Sequence, residues 1–156
     1  MTQLLNEVYI QKTCFYLDNG AGERVLAAPI PTHPAYWAGV DGTIFSFKHG
    51  SFKPLKPANN GNGYLFVMLS SDGVVEKQYI SRLVASTFLI KPDEPDRAGN
   101  PRDQVNHVQG DRMNNRLPNL EWCSSAENHH HAKRVLHSED FLASKFAAAY
   151  LASKTA

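Results

Sequence analysis

Sulfur chemistry is scarce in this chain: 156 residues hold two cysteines, Cys14 and Cys123, and neither belongs to a CxxC pair. That excludes a zinc-finger framework and argues against a disulfide scaffold, so a reducing, cytoplasmic setting is expected. No apolar run approaches the roughly 18 residues of a membrane span. The opening "MTQLLNEVYIQKT" has neither the basic start nor the apolar heart of a signal peptide. Net charge is also small, at +1, and by itself argues neither for nor against a nucleic-acid partner. Repeats and low-complexity tracts are missing as well. What remains is a soluble chain of one-domain length, whose 42% hydrophobic residues can support a modest core.

The charge that is present is unevenly placed. From Tyr36 to Pro92 six basic residues (Lys48, Lys53, Lys56, Lys77, Arg82, Lys91) face three acidic ones, and from Arg97 to Val135 six face four, with four histidines added. The acidic knot "PDEPD" lies between these stretches. The centre of the chain is mildly basic, which permits DNA without diagnosing it.

Turn residues and periodicity divide the chain. "EVYIQKTCFYL" suits a strand, "DNGAGE" (18–23) a turn, and "PIPTHP" (29–34) an extended connector. "AYWAGV-DG-TIFSF" reads as two strands around an Asp-Gly turn, and "YLFVMLSSDGVVEKQYI" repeats that grammar after a turn at 58–63. The period then changes. In "SRLVASTFL" (81–89), Leu83, Val84, Thr87 and Phe88 share a helical face, with Ser81 as its cap. The breaker-rich stretch 91–103 is a loop. Beyond it, "DQVNHV" and "LEWC" are short strands joined by a turn-rich connector. Ser124 and Glu127 have capping-box spacing at the head of a helix "AENHHHAKRVL". A last helix is expected over 138–153, capped by Ser138, with Leu142, Phe146, Ala149 and Tyr150 as its apolar stripe.

A hairpin followed by a helix brings three segments to one point. Asn106 and His107 occupy adjacent positions of the first strand, Asn119 precedes the second strand, and Asn128 lies early in the helix. Asn119 follows His107 by twelve residues, and Asn128 follows Asn119 by nine. With this order, "VNHVQGDRMNNRLPNLEWCSSAEN" closely resembles the HNH homing endonucleases of phages and group I introns. Their pattern reads roughly V-N/D-H-x-D-G-x-x-x-N-N-x-x-x-N-L-x-W-x-x-x-x-x-N. The upstream "GTIFSF", "KPLKP", "GYLFVMLSSDG" and "RLVASTFL" follow the order of the DNA-binding β-module often fused to them. The resemblance runs from Tyr36 to His131. Three positions depart from it: Gln109-Gly110 stands where relatives commonly have Asp-Gly, Ser81 where a His often opens the helix, and Asn106 where several relatives have Asp.

The resemblance implies an α+β protein: an N-terminal extension (1–35), a β-rich DNA-binding module (36–92), a ββα-metal nuclease motif (93–136) and a C-terminal helix (137–156). It implies His107 as general base, its imidazole titrating near working pH. Asn106 and Asn128 would offer amide oxygens to one divalent cation, Mg²⁺ or Mn²⁺, and Asn119 would brace the loop that holds His107. The expected partner is double-stranded DNA, nicked to a 5′ phosphate and a 3′ hydroxyl by a monomer or weak dimer, in the cytoplasm of a bacterial host if the gene is phage-borne. Two neutral amide ligands predict weak metal binding without DNA, since Mg²⁺ normally takes a carboxylate.

Blander roles compete at several positions. Asn114 and Asn115 suit the turn, because Asn tolerates left-handed backbone angles. His129, His130 and His131 fan out by about 100° each on a helix and cannot converge on one ion; His131, one turn from Asn128, is the exception worth following. Trp122 reads as core. Lys53, Lys56, Lys77, Arg82, Arg112, Arg116, Lys133 and Arg134 are either solvated charge or phosphate contacts. Two other functions stay open: a DNA-binding protein that keeps the scaffold without useful catalysis, and a zinc hydrolase built on the histidine triplet.

Overall fold

Alternation along the first strands sets up two apolar layers. In β2 (Arg24–Ile30), Val25 and Ala27 face one side while Ala28 and Ile30 face the other; Trp37 and Tyr36 divide in the same way in β3 (His33–Gly39), as do Phe45 and Ile44 in β4 (Ile44–Ser46). A computed structural model of the protein describes residues 14–136. The helix expected over 138–153 and the first half of the strand expected from Glu7 lie outside them.

With β1 (Phe15–Asp18) and β5 (Lys53–Pro54), these strands make a five-stranded antiparallel sheet in the order β1-β2-β3-β4-β5. A second sheet holds β6 (Ala58–Asn59), β7 (Leu65–Ser71) and β8 (Val74–Tyr79); a third is the hairpin of β9 (Gln104–His107) and β10 (Leu120–Cys123). Helix α1 (Ile80–Phe88) follows β8, and α2 (Ser125–Leu136) follows β10.

Helix α1 is the hub. Leu83, Val84 and Phe88 are buried in one cluster with Ala28 and Ile30 of β2, Val67 and Leu69 of β7, and Leu120 and Trp122 of β10. All three sheets therefore share a core. Tyr36 ties the first two together: its phenol donates to the Ser70 carbonyl (3.2 Å) and accepts from the Ser70 amide (2.8 Å), which satisfies the buried oxygen.

Both Asp-Gly turns form as the sequence predicts. Asp72 and Gly73 have φ of 51° and 82°, the left-handed pair of a type I′ hairpin turn. Two local expectations fail. The segment 29–34 is no connector: β2 runs through Ile30 and β3 starts at His33, so only Pro31 and Thr32 turn the chain. Pro29, which has no N–H to give the ladder, sits where the register shifts between strands. Ser81 does not cap α1 either. The helix begins at Ile80 with Tyr79 as its N-cap residue, and Ser81 lies buried in its first turn.

Among the described residues, no helix is long and apolar enough to cross a membrane.

Candidate active site at the β9–β10 hairpin

The hairpin pairs antiparallel with Leu120 opposite His107 and Glu121 opposite Asn106. After β10, Ser124 and Glu127 form the expected capping box: the Glu127 amide donates to Ser124 Oγ (3.1 Å) and the Ser124 amide to Glu127 Oε2 (3.0 Å). The preceding loop locks this helix start in place. Arg102 grips Glu127 with two bonds (3.0 and 2.8 Å), and Ser124 Oγ donates to Asp96 Oδ2 at 2.6 Å. That hydrogen bond, with others from Asn100 and the Ala98 amide, holds the Asp96 carboxyl well below the usual carboxylate range. So α2 leaves the hairpin at a fixed point, which sets where Asn128 stands.

Asn106, His107, Asn128 and His131 border one cavity of about 440 Å³, with Tyr64 and Arg112 at its edge. His107 is 5% exposed. Burial lowers its pKa from the ordinary histidine value, and nearby Arg112 acts in the same direction; a hydrogen bond to Asn115 and the charge of Asp111 oppose this. The lowered pKa favours the neutral imidazole, the form a general base needs. Its Nε2 lies 3.0 Å from Asn115 Oδ1.

Asn119 is buried beside the loop that follows His107. At 2% exposure it accepts from the Gln109 amide (2.8 Å) and donates to the Asn114 carbonyl (2.7 Å), pinning the loop that follows His107 at two points. The turn closes with Gln109 in place of Asp: the Gly110 amide donates to the His107 carbonyl at 2.8 Å. Gly110 is required there, having a φ of 76° and a position where a Cβ would stand 2.6 Å from Val135 of α2.

The two amides assigned to a cation each have their nitrogen engaged. Asn106 Nδ2 donates to Glu121 (2.8 Å) and Asn128 Nδ2 to Gln104 (3.0 Å), which fixes the turn of each amide and leaves Oδ1 as the atom each could offer a cation. Oxygen donors of this kind suit a hard cation such as Mg²⁺ or Mn²⁺ and do not suit zinc. Among the described residues, no group of three or more His, Cys, Asp or Glu side chains could hold a metal. His129 and His130 are exposed and only His131 reaches the cavity, as helical fanning requires.

The basic residues scatter. Arg112 stands over the Tyr64 ring, 4.9 Å from its centroid, and donates to the Asn62 carbonyl. Lys133 and Arg134 are exposed on α2, and Arg116 is exposed on the connector. Lys53, Lys56, Lys77 and Arg82 are exposed and do not line the cavity; Lys77 lies over Phe66 (4.1 Å), and Arg82 donates to the Asp103 carbonyl and faces Trp122, which is core as expected.

Sequence reasoning missed Asn115 on His107, Glu121 on Asn106 and Tyr64 at the cavity edge. The Glu121 contact was within reach, since pairing "VNHV" with "LEWC" in register puts it opposite Asn106. Nothing local announces the other two.

No family model matches the chain. In an alignment 142 positions long that covers 83% of the chain, it is 34% identical to an uncharacterized HNH endonuclease of Acanthamoeba polyphaga mimivirus, a match covering 40% of that protein. A second uncharacterized HNH endonuclease of the same virus is 40% identical over 81 residues, 51% of this chain and 19% of that one. The chain thus spans less than half the length of these curated relatives. The solved structure of the HNH homing endonuclease I-HmuI, from work on its DNA binding and cleavage, superposes with a TM-score of 0.55 at 24% identity, covering 78% of this chain and 66% of that one. The likeness shows a shared fold.

Proposed function

Since the chain belongs to the HNH endonuclease family, we propose that it hydrolyses phosphodiester bonds of double-stranded DNA in a divalent-metal-dependent reaction, one strand at a time. The observation that carries this reading is that His107, Asn106 and Asn128 all line one cavity, with His107 buried.

In this mechanism a water attacks the scissile phosphorus while His107 takes its proton. The bond from phosphorus to the 3′ oxygen breaks and the departing oxygen takes a proton from solvent, leaving a 5′ phosphate and a 3′ hydroxyl. Asn119 keeps the loop after His107 in register, so that the imidazole meets the water at hydrogen-bonding distance. Arg112, already ordered by Tyr64 and Asn62, supplies positive charge beside the phosphate. A bound Mg²⁺ or Mn²⁺ ion, held by the amide oxygens of Asn106 and Asn128, would stabilise the charge that builds up on the phosphate and the leaving oxygen. Glu121 orients the Asn106 amide without being a ligand itself.

Residues 93–136 serve in this reading as the ββα-metal nuclease motif and 36–92 as the DNA-binding module. Lys53, Lys56, Lys77, Arg82, Arg116, Lys133 and Arg134 contact phosphates. One site per chain gives nicks; a double-strand break needs two visits or a dimer.

The test is conversion of supercoiled plasmid to open circle in Mg²⁺ or Mn²⁺, with a chelator control and analysis of the ends. Metal-dependent nicks bearing a 5′ phosphate and a 3′ hydroxyl support the reading. Saturable DNA binding with no cleavage in either metal would make this a binding protein on a nuclease scaffold.

A further inference from the structure

We propose that Asn115 is the positioning residue for His107: it holds the imidazole proton on Nε2 and so makes Nδ1 the nitrogen that accepts the proton of the attacking water. The proposal rests on the nuclease reading for its catalytic consequence, but the placement of the proton stands on geometry alone.

The orientation of the Asn115 amide decides the matter. Its Nδ2 donates to the Met113 carbonyl at 3.2 Å, so the oxygen is the atom turned toward His107. Exchanging the two would set an amide oxygen against a carbonyl oxygen. A carbonyl oxygen can only accept, so His107 Nε2 must donate across the 3.0 Å contact. In the neutral ring the proton is then on Nε2 and the lone pair on Nδ1. Among the described residues no hydrogen bond is made to Nδ1, and His107 lines the cavity. The pairing repeats a logic seen wherever an imidazole base is held in one tautomer by a fixed acceptor on its far nitrogen.

The acceptor is itself fixed. Both partners are buried, each 5% exposed. Asn115 is braced from the five-stranded sheet: the Leu117 amide donates to the Val40 carbonyl at 2.8 Å, and a Cβ on Gly42 would stand 3.1 Å from the Asn115 Cβ and carbonyl oxygen. Gly42, in the first Asp-Gly turn, also has a φ of 94°, so any side chain there is strained as well as crowded. The turn of the upstream sheet therefore buttresses Asn115, and through it the ring of His107. From sequence alone, Asn115 has a turn role and the bracing of the His107 loop falls to Asn119. Asn119 fixes the backbone of the loop, and Asn115 fixes the imidazole.

Nitrogen-15 NMR of the imidazoles, with His107 assigned by its loss in His107→Ala, reads the tautomer without any DNA. Wild type should show the proton on Nε2 with slow solvent exchange. Asn115→Ala should lose that protection and give a mixed tautomer, and Asn115→Asp, which keeps an acceptor, should restore it. In single-turnover nicking, Asn115→Ala should lose roughly 10- to 100-fold in rate at unchanged DNA affinity, the cost of a base displaced by about an ångström, with partial rescue by Asp. Wild-type protein protonated on Nδ1 would overturn the proposal, and so would a protected Nε2 proton that survives Asn115→Ala. The wild-type spectrum decides even if a variant folds poorly. Should the tautomer behave as stated while wild type cuts no DNA, the placement of the proton stands and the nuclease reading falls.

Discussion

Replacing Asn119 by Ala isolates the brace on which the hairpin loop depends. The side chain is 2% exposed and makes two short bonds, from the Gln109 amide (2.8 Å) and to the Asn114 carbonyl (2.7 Å), plus a longer one to the Asp111 carbonyl (3.4 Å). The backbone bonds of Asn119, to Val108 and Arg116, survive the change. Each short bond is worth about 0.5–1.5 kcal/mol net, so the loss comes to about 2 kcal/mol, or roughly 4–8 °C in Tm for a chain of this size. Gln109 is exposed, so water can replace one partner, which keeps the cost below that of two stranded buried groups. Asn119→Asp sharpens the test. Its carboxylate keeps the bond from Gln109 but turns a second oxygen toward the Asn114 carbonyl, so at neutral pH it should destabilise more than Ala. The introduced carboxyl would have its native pKa raised above the ordinary value of about 3.9. Its penalty is therefore absent at low pH and grows as pH rises through that raised value, so the gap to wild type should narrow on acidification. Urea unfolding of the three proteins across pH measures this. A cost under about 0.5 kcal/mol for Asn119→Ala, or an Asp variant as stable as wild type at neutral pH, would refute the assigned brace.

Further outcomes follow from other contacts. Asp96, whose carboxyl is held low by Ser124 and Asn100, should stabilise the fold fully above the ordinary carboxylate value, with that contribution lost as pH falls toward its lowered native pKa. Asp96→Asn should accordingly be less stable than wild type at pH 7, with the difference closing in acid, as thermal melts at several pH values would show. Titration calorimetry should find no tight Mg²⁺ binding to the free protein, because Asn106 and Asn128 bring no charge; binding should strengthen when a non-cleavable duplex supplies phosphate oxygens. Tight binding without DNA would contradict this ligand pair. Lys133→Ala or Lys53→Ala should weaken DNA binding equally across sequences and lower the salt slope of log Kd by about 1 if each meets a phosphate; an unchanged slope removes that residue from the interface.

How much of this was legible depended on the range of the interactions. Strands β7 and β8 and helix α1 could be read nearly directly, because Asp-Gly marks the turn and the apolar period changes from 2 to 3.6 at Ser81, one residue past the observed helix start. The capping box at Ser124 was legible for the same reason: its two partners lie three residues apart. Strand β2 was hidden by Pro29, Pro31 and Pro34, which read as breakers when each in fact occupies a tolerated place, at a register shift, in a turn and near a strand start. The loop 91–103 was recognisable as loop, but nothing in it announced that Asp96 and Arg102 lock the start of α2, because their partners lie 28 and 25 residues away. At the site, the ordered spacing of Asn106, His107, Asn119 and Asn128 carried the expectation. Asn115 escaped because turn chemistry already accounts for an asparagine there, and only the tertiary approach of Gly42 and His107 gives its amide a second task.

The central claim is that His107 is the base of a DNA-cleaving site. Its most direct test compares wild type with His107→Ala in single-turnover nicking of supercoiled plasmid in Mg²⁺, at protein concentrations giving equal DNA occupancy. The account predicts that the variant binds DNA as wild type does and nicks it slower by on the order of 10²–10⁴. Nicking by the variant at the wild-type rate would contradict it.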